Sequence, residues 1–251
     1  MKTAIIIPSR YGSTRLPQKA LIEIRGKTLT QHVYDRCKLA EGVDEVFVAT
    51  DHPSIATVVR NFGGTPLMTS PECASGTDRV AQASLQLPNE YDVIINVQGD
   101  EPLIAPEVIS ALARLMSSDS GIAVSTPITL IQKPVDLINP NIVKVVRDTF
   151  GNALYFSRSA IPFLRDSALT ETWIQEFAYY KHIGVYAYRR ETLKRFVELS
   201  EGSLELAERL EQLRLLEAGI PIRCVPVDYE SVAVDTQADV HIIETLLDEL
   251  Q

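Results

Sequence analysis

With 251 residues, 45% of them hydrophobic and 23% charged, the chain can bury a large core and has the balance of a water-soluble globular protein. Its formal net charge of −9 excludes the broad basic surface that general nucleic-acid binding needs, although a local basic cluster can still hold a small anion against the global sign. Cys37, Cys73 and Cys224 show neither metal-binding nor disulfide spacing, and no apolar run suits a signal peptide or a bilayer span. A cytoplasmic protein with reduced thiols, no nucleic-acid partner and no membrane partner is expected.

Short apolar runs alternate with helical spacing through the first half. "TAIII" (3–7), "EVFVAT" (45–50), "TPLMT" (65–69), "DVIINV" (92–97) and "GIAVSTPI" (121–128) read as buried strands. Between them, 28–42, 52–64 and 105–118 carry helical periodicity, the last with a proline in its first turn. This alternation predicts a mostly parallel sheet with helices on both faces. After about residue 130 the pattern changes. Residues 138–163 read as a hairpin turning at 149–152, and "YKHIGVYAYR" (180–189) as one strand. The spacing of Leu204, Ala207, Leu210, Leu213 and Leu216 predicts one helix over 203–219. "IRCVPV" (222–227) reads as a late strand, "SVAV" (231–234) as another, and 239–250 as a closing helix. No linker or repeat divides the chain, so a single domain over 1–251 is expected, with residues from about 130 to 190 inserted as a mixed-sheet lobe or subunit contact.

The stretch "PSRYGSTRLPQKAL" (8–21) leaves the first strand at its carboxyl end, where open α/β sheets bind ligands. Gly12 permits close backbone approach, Ser13 adds a hydroxyl, and Arg10, Arg15 and Lys19 supply the charge that a polyphosphate requires. The later "RGKT" (25–28) lacks the first glycine of a P-loop, since position 21 is Leu21, and reads as a turn before a helix. In "NVQGDEP" (96–102) a buried strand ends in Gln98, Asp100 and Glu101, and Asp100 is suited to Mg²⁺, which takes one or two carboxylates plus phosphate oxygens. In "VAVDTQADV" (232–240), Thr236 and Asp239 form a capping box, which leaves Asp235 for a second role as a metal ligand opposite Asp100. In "ASGTDRVAQA" (74–83), Ser75 and Thr77 stand at a helix start and can cap it or face a ligand. Arg79 opposes the helix dipole there, which points it toward a ligand or an acid.

Together these motifs, with "VATDH" (48–52), "NPNIVKVV" (139–146), "ALYFSRSAIP" (153–162), "HIGVYAY" (182–188) and "LEQLRLLEAG" (210–219), resemble the 3-deoxy-manno-octulosonate cytidylyltransferase family, the CMP-Kdo synthetases, along essentially the whole chain. The resemblance implies a Rossmann-like (GT-A-like) nucleotidyltransferase fold and a homodimer joined through the inserted lobe. It implies CTP and Kdo as substrates, Mg²⁺ as cofactor, and CMP-Kdo for lipopolysaccharide synthesis plus pyrophosphate as products. Carried over by motif, Arg10, Arg15 and Lys19 act on the triphosphate, and Asp100 and Asp235 hold the metal. Pro8, Ser9, Gly12, Ser13, Ser75, Thr77, Arg79 and Gln98 contact the nucleotide. Gln98, His182, Tyr186, Glu211 and Gln212 line the sugar site. No side-chain base stands out, which favours metal activation of the sugar oxygen. Two departures stand out: many relatives have "PGKPL" where this chain has "PQKAL", placing Gln18 at a glycine position, and Gln237 and Ala238 replace Pro and Glu of "VDTPED". A cytidylyltransferase for sialic acid or an amino-sugar variant of Kdo is the neighbouring alternative. A GT-A-like glycosyltransferase is a more distant one, and lacks support from a DxD at this strand end.

Overall fold

The computed structural model describes residues 2–13, 16–167 and 172–249. Arg15, one of the expected phosphate-binding cations, lies outside the described residues. The strands are β1 (Lys2–Ser9), β2 (Glu23–Ile24), β3 (Lys27–Thr28), β4 (Glu45–Thr50), β5 (Thr65–Met68), β6 (Tyr91–Asn96), β7 (Val124–Leu130), β8 (Lys144–Arg147), β9 (Ala153–Ser157), β10 (Tyr180–His182), β11 (Tyr186–Arg189) and β12 (Ile222–Pro226). The helices are α1 (Leu29–Lys38), α2 (Pro53–Asn61), α3 (Gly76–Ser84), α4 (Pro106–Ser118), α5 (Pro134–Ile138), α6 (Trp173–Glu176), α7 (Arg190–Glu198), α8 (Ser203–Glu208), α9 (Leu213–Glu217) and α10 (Gln237–Glu249). No described helix is long and apolar enough to cross a membrane.

Ten of these strands form one sheet in the order β5-β4-β1-β6-β11-β7-β10-β8-β9, with β12 paired to β7. The β5-β4-β1-β6 half is parallel, as the alternating first half of the sequence predicts. Its continuous apolar runs are explained by burial on both faces. Ile5, Ile7, Val48 and Ile95 pack under α1, α2 and α4, while Ala4, Ile6, Ala49 and Ile94 pack under α3 and α7. The expected "RGKT" turn is the β2–β3 hairpin, with Arg25 and Gly26 both at positive φ, and Thr28 caps α1 through Gln31 N. The second-half hairpin is β8–β9, joined through Asp148–Asn152 as expected.

Three expectations from the second half are corrected. The strand over 180–189 is broken: β10 runs between β7 and β8, and β11 between β7 and β6, so the sheet forks. At the fork Val185 N donates to Ile183 O at 2.7 Å, a three-residue turn centred on Gly184. The helix over 203–219 is two short helices. Arg209 takes a left-handed conformation (φ 54°), and the carbonyls of Glu208 and Arg209 accept from the Arg158 guanidinium instead of from helix N–H groups. Leu204 and Leu206 are consequently exposed, while Leu210, Leu213 and Leu215 stay in the core. "SVAV" is no strand. It is an extended strap held by Val234 N donating to Asp100 O at 2.8 Å.

Gln18 keeps the backbone that a glycine would supply, at φ 53° and ψ 32°. That conformation costs a non-glycine residue about 1–2 kcal/mol, and glycine's own entropy cost offsets part of the relief. Gln18→Gly should therefore raise unfolding stability by about 0.5–1 kcal/mol in chemical denaturation. Unchanged or lower stability would show that the Gln18 side chain makes up for the strain.

Candidate active site

The opening loop turns back so that Lys19, on a short 3-10 turn, projects across the end of β6. Thr30 Oγ1 fixes this turn by donating to Ala20 O at 2.9 Å. Lys19 Nζ donates to Asp100 Oδ2 at 2.8 Å, to Asp235 Oδ1 at 3.1 Å and to Val234 O at 2.7 Å. Asp100 stands on the turn after β6. Asp235 arrives on the C-terminal strap, which is pinned beneath by contacts among Leu16, Val234, Val240 and Ile243. The expected capping box at α10 is present, with Thr236 and Asp239 bonded reciprocally. Gly99 is needed where it stands: a Cβ there would lie 2.6 Å from Pro8 O, so only glycine lets the β6 turn close against β1.

These groups open into a cleft of about 320 Å³. Of the expected nucleotide contacts, Pro8, Ser9, Arg10, Ser13, Lys19, Ser75, Arg79 and Gln98 line it, together with Asp100 and Asp235. Gly12 is not among the lining residues. Ser75 caps α3 in a capping box with Asp78, so capping and cleft-lining coincide in one residue. Arg79 is buried and spends both terminal nitrogens inside the protein, on Asp51 Oδ2 at 3.0 Å and Thr69 Oγ1 at 2.6 Å. Asp51 also accepts from Tyr11 N at 3.0 Å, so it joins the opening loop to α3. Within "VATDH", Asp51 is a functional candidate that motif resemblance alone does not single out. The strand-end rule that singled out Asp100 applies equally to Asp51, which follows β4.

A second pocket of about 230 Å³ adjoins the cleft and shares Gly76, Gln98 and Glu211 with it. It collects all five residues expected at the sugar, Gln98, His182, Tyr186, Glu211 and Gln212, and also Gly184, Tyr188 and Arg209. Thr77, expected at the nucleotide, lines this pocket instead and donates to Glu211 Oε2 at 2.9 Å. The two breaks in regular structure build it. The fork at Gly184 separates His182 from Tyr186, and the turn between α8 and α9 presents Glu211 and Gln212. Gln212 Nε2 is buried with no hydrogen-bond partner, and the buried Tyr186 hydroxyl meets only the Thr126 hydroxyl. An orphan such as Gln212 Nε2 costs about 1–3 kcal/mol, which a ligand would recover. Burial raises the Glu211 carboxyl's pKa, against hydrogen bonds from Thr77 and Ser75. Outside both pockets, next to Asp100, burial pushes Glu101 up to about 7, where it meets Ser231 and Tyr229 on the strap.

Two carboxylates converging on one cation are a donor set that suits a divalent metal completed by phosphate oxygens. No cluster of three or more His, Cys, Asp or Glu exists among the described residues, so the remaining ligands would come from substrate and solvent.

Parallel core, basic first loop and paired acids at a strand-end cleft define a nucleotidyltransferase. A family model described as cytidylyltransferase matches residues 4–223. The protein from Geotalea uraniireducens named 3-deoxy-manno-octulosonate cytidylyltransferase is 46% identical, covering 100% of both chains. The one from Cytophaga hutchinsonii with the same name is 47% identical over 93% of each. The solved CMP:2-keto-3-deoxy-manno-octonic acid synthetase complexed with CTP superposes with a TM-score of 0.93 at 42% identity, over 100% of both chains. A Leptospira borgpetersenii cytidylyltransferase, at 17% identity and TM-score 0.65 over 99% of this chain and 87% of that one, shares the fold. The chain is a cytidylyltransferase. It belongs to the 3-deoxy-manno-octulosonate cytidylyltransferase family.

Burial lowers the pKa of His182 from 6.5 to about 3. Between those values the unfolded chain binds a proton here that the folded chain does not. The ring's contribution to stability is therefore complete above pH 6.5 and lost as pH falls, by at most about 1.4 kcal/mol per pH unit. Urea unfolding of His182→Gln should show the stability difference from wild type moving in the variant's favour between about pH 7 and about pH 5. A pH-independent difference would contradict the neutral buried ring.

Proposed function

We propose that the cleft binds CTP and the adjoining pocket binds Kdo, and that the chain transfers cytidylate to the anomeric hydroxyl with release of pyrophosphate. The observation that carries this reading is the buried unpartnered donor on Gln212, beside the Tyr186 hydroxyl and the Glu211 carboxylate in a pocket that shares a wall with the Lys19 cleft. A polyhydroxylated acid offers an oxygen to the donor and hydroxyls to the carboxylate. A sugar read by such groups would be preferred over an analogue that leaves them unpaired.

In this reading the anomeric hydroxyl gives up its proton to solvent as its oxygen attacks the α-phosphorus, the bond to the bridging oxygen breaks, and pyrophosphate leaves with the negative charge. Lys19 and Arg10 stand where that charge develops, and fixed cations in a partly closed cleft stabilise it more than water does. Ser75 and the start of α3 would hold the base and ribose end. Arg79 keeps that wall rigid through Asp51 and Thr69. Asp100 and Asp235 would hold Mg²⁺, which when bound supplies Lewis-acid charge at the α-phosphate and acceptor oxygen. Gln98, in the shared wall, orients the acceptor against the nucleotide. The inserted lobe leaves Phe150, Phe163 and Leu154 exposed by 77%, 73% and 61%, which supports a homodimer formed through it, to be checked by sedimentation.

Pyrophosphate release measured across four nucleoside triphosphates and a panel of acidic keto-sugars should single out CTP with Kdo. Preference for sialic acid, amino-Kdo or a neutral hexose phosphate would reassign the acceptor. Asp100→Asn and Asp235→Asn should each remove most turnover while retaining the wild-type circular dichroism spectrum. Near wild-type turnover in either at saturating Mg²⁺ would exclude that residue as a metal ligand. Lys19→Ala should lower turnover about a hundredfold, the scale of losing one preorganised charge-stabilising donor.

A further inference from the structure

Thr126 lies in β7 opposite the fork, and no part of it is exposed. Its hydroxyl Oγ1 is 2.8 Å from Val185 O, 3.3 Å from Ile183 O and 3.1 Å from His182 Nε2, and it also meets the Tyr186 hydroxyl, which can use the oxygen's second lone pair. Both carbonyls can only accept, so the single hydroxyl hydrogen is committed to that side of the oxygen. What the oxygen turns toward His182 is a lone pair, and a lone pair requires Nε2 to carry the hydrogen. The imidazole is neutral, because burial strongly disfavours its charged form. A neutral ring protonated at Nε2 is unprotonated at Nδ1. Phe156, edge-on at 5.2 Å, and Tyr186, tilted at 5.2 Å, hold the ring plane in place.

We propose that Thr126 is a positioning residue that fixes the Nε2–H tautomer of His182, so that the ring meets the acceptor sugar as a hydrogen-bond acceptor through Nδ1. The proposal rests on the adjoining pocket being the sugar site. It completes the pocket's chemistry: Gln212 supplies a donor, and His182 and Glu211 supply acceptors. The sugar's hydroxyls therefore have two places to donate. His182 is no counter-ion for the sugar's carboxylate, which is left to donors elsewhere in the site. Thr126 also ties the two carbonyls of the Gly184 turn to β7, so the same hydroxyl that sets the tautomer holds open the gap between His182 and Tyr186.

The test uses Thr126→Val, which keeps the side chain's shape and loses its hydroxyl, and Thr126→Ser, which keeps the hydroxyl. Long-range ¹H–¹⁵N correlation spectra of the substrate-free enzyme report the tautomer of each histidine, with His182 assigned by its disappearance in His182→Gln. Wild type and Thr126→Ser should show His182 protonated at Nε2, and Thr126→Val should show a mixture or the Nδ1–H form. Thr126→Val should also raise the KM for Kdo about five- to tenfold, the effect of one misdirected hydrogen bond, leave the KM for CTP in place, and be rescued by Thr126→Ser. An Nδ1-protonated ring in the wild type overturns the proposal even if Thr126→Val fails to fold. So does an unaltered tautomer or an unaltered sugar KM in a folded Thr126→Val. Wild-type turnover of Kdo separates the two levels: if it is present, the pocket reading survives any of those failures, and if it is absent, that reading falls on its own.

Discussion

The site depends on one ammonium group. Lys19 Nζ touches Asp100, Asp235 and Val234 O, and so closes together the opening loop, the end of the central strand β6 and the C-terminal strap. Two carboxylates held this close would repel one another and lose hydration without a cation between them. The lysine removes that obstacle and leaves a pair of acids that is still open to the cleft, with their side chains 30% and 36% exposed. The arrangement is poised for added charge of both signs. A divalent ion can join the acids only alongside an anion that engages the lysine, and a nucleoside triphosphate with its metal is such a combination. An acidic protein thus gathers cations at one strand edge because the chemistry there is the handling of negative charge.

The second pocket depends on a different device, the interruption of regular structure. A continuous strand over 180–189 would place its backbone where the pocket lies. A continuous helix over 203–219 would keep Glu211 and Gln212 on a helix surface instead of on a turn facing Gln98. Both interruptions are held by side chains from elsewhere in the sequence. Thr126 stitches the first to β7, and Arg158 takes up the carbonyls released at the second. The orphaned donor on Gln212 lies at the second of these interruptions. Unpaired polar groups and lost ladder bonds are costly, and proteins retain such costs at functional sites.

This contrast explains how legible the molecule is from its residues. The parallel half, its helices, the Asp148–Asn152 hairpin turn and the capping box at Thr236 follow from local rules of periodicity and capping, and the structure agrees with them. The position of Asp100 is readable too, since the end of a parallel strand is a local property and Asp100 follows one, whereas Asp235 stands on a strap where the sequence suggests a strand. Arg158 acting on Glu208 and Thr126 acting on Val185 are contacts across the fold. The leucines at 204, 210, 213 and 216 keep a helical period through the break, so no pattern in the segment itself signals it. Arg79 shows the same limit differently. Its place at a helix start correctly points to an acid partner or a ligand, but only the fold reveals that Asp51 satisfies it and that its role is to brace the cleft wall.

Arg158 also ties the inserted lobe to the chemistry. Glu208 accepts from Ser157 Oγ and Arg158 N at the end of β9, while the Arg158 side chain holds the carbonyls of Glu208 and Arg209. The turn bearing Glu211 and Gln212 is therefore anchored on the β8–β9 hairpin, whose other end carries the exposed Phe150. Lys144, fully buried on β8, donates to the carbonyls of Asn139, Ile142 and Arg158, and so locks the open end of the hairpin, opposite Phe150. The turn bearing Glu211 and Gln212 and the β8–β9 hairpin are thus one hydrogen-bonded assembly, so the position of that turn depends on residues of the inserted lobe as well as on its own segment.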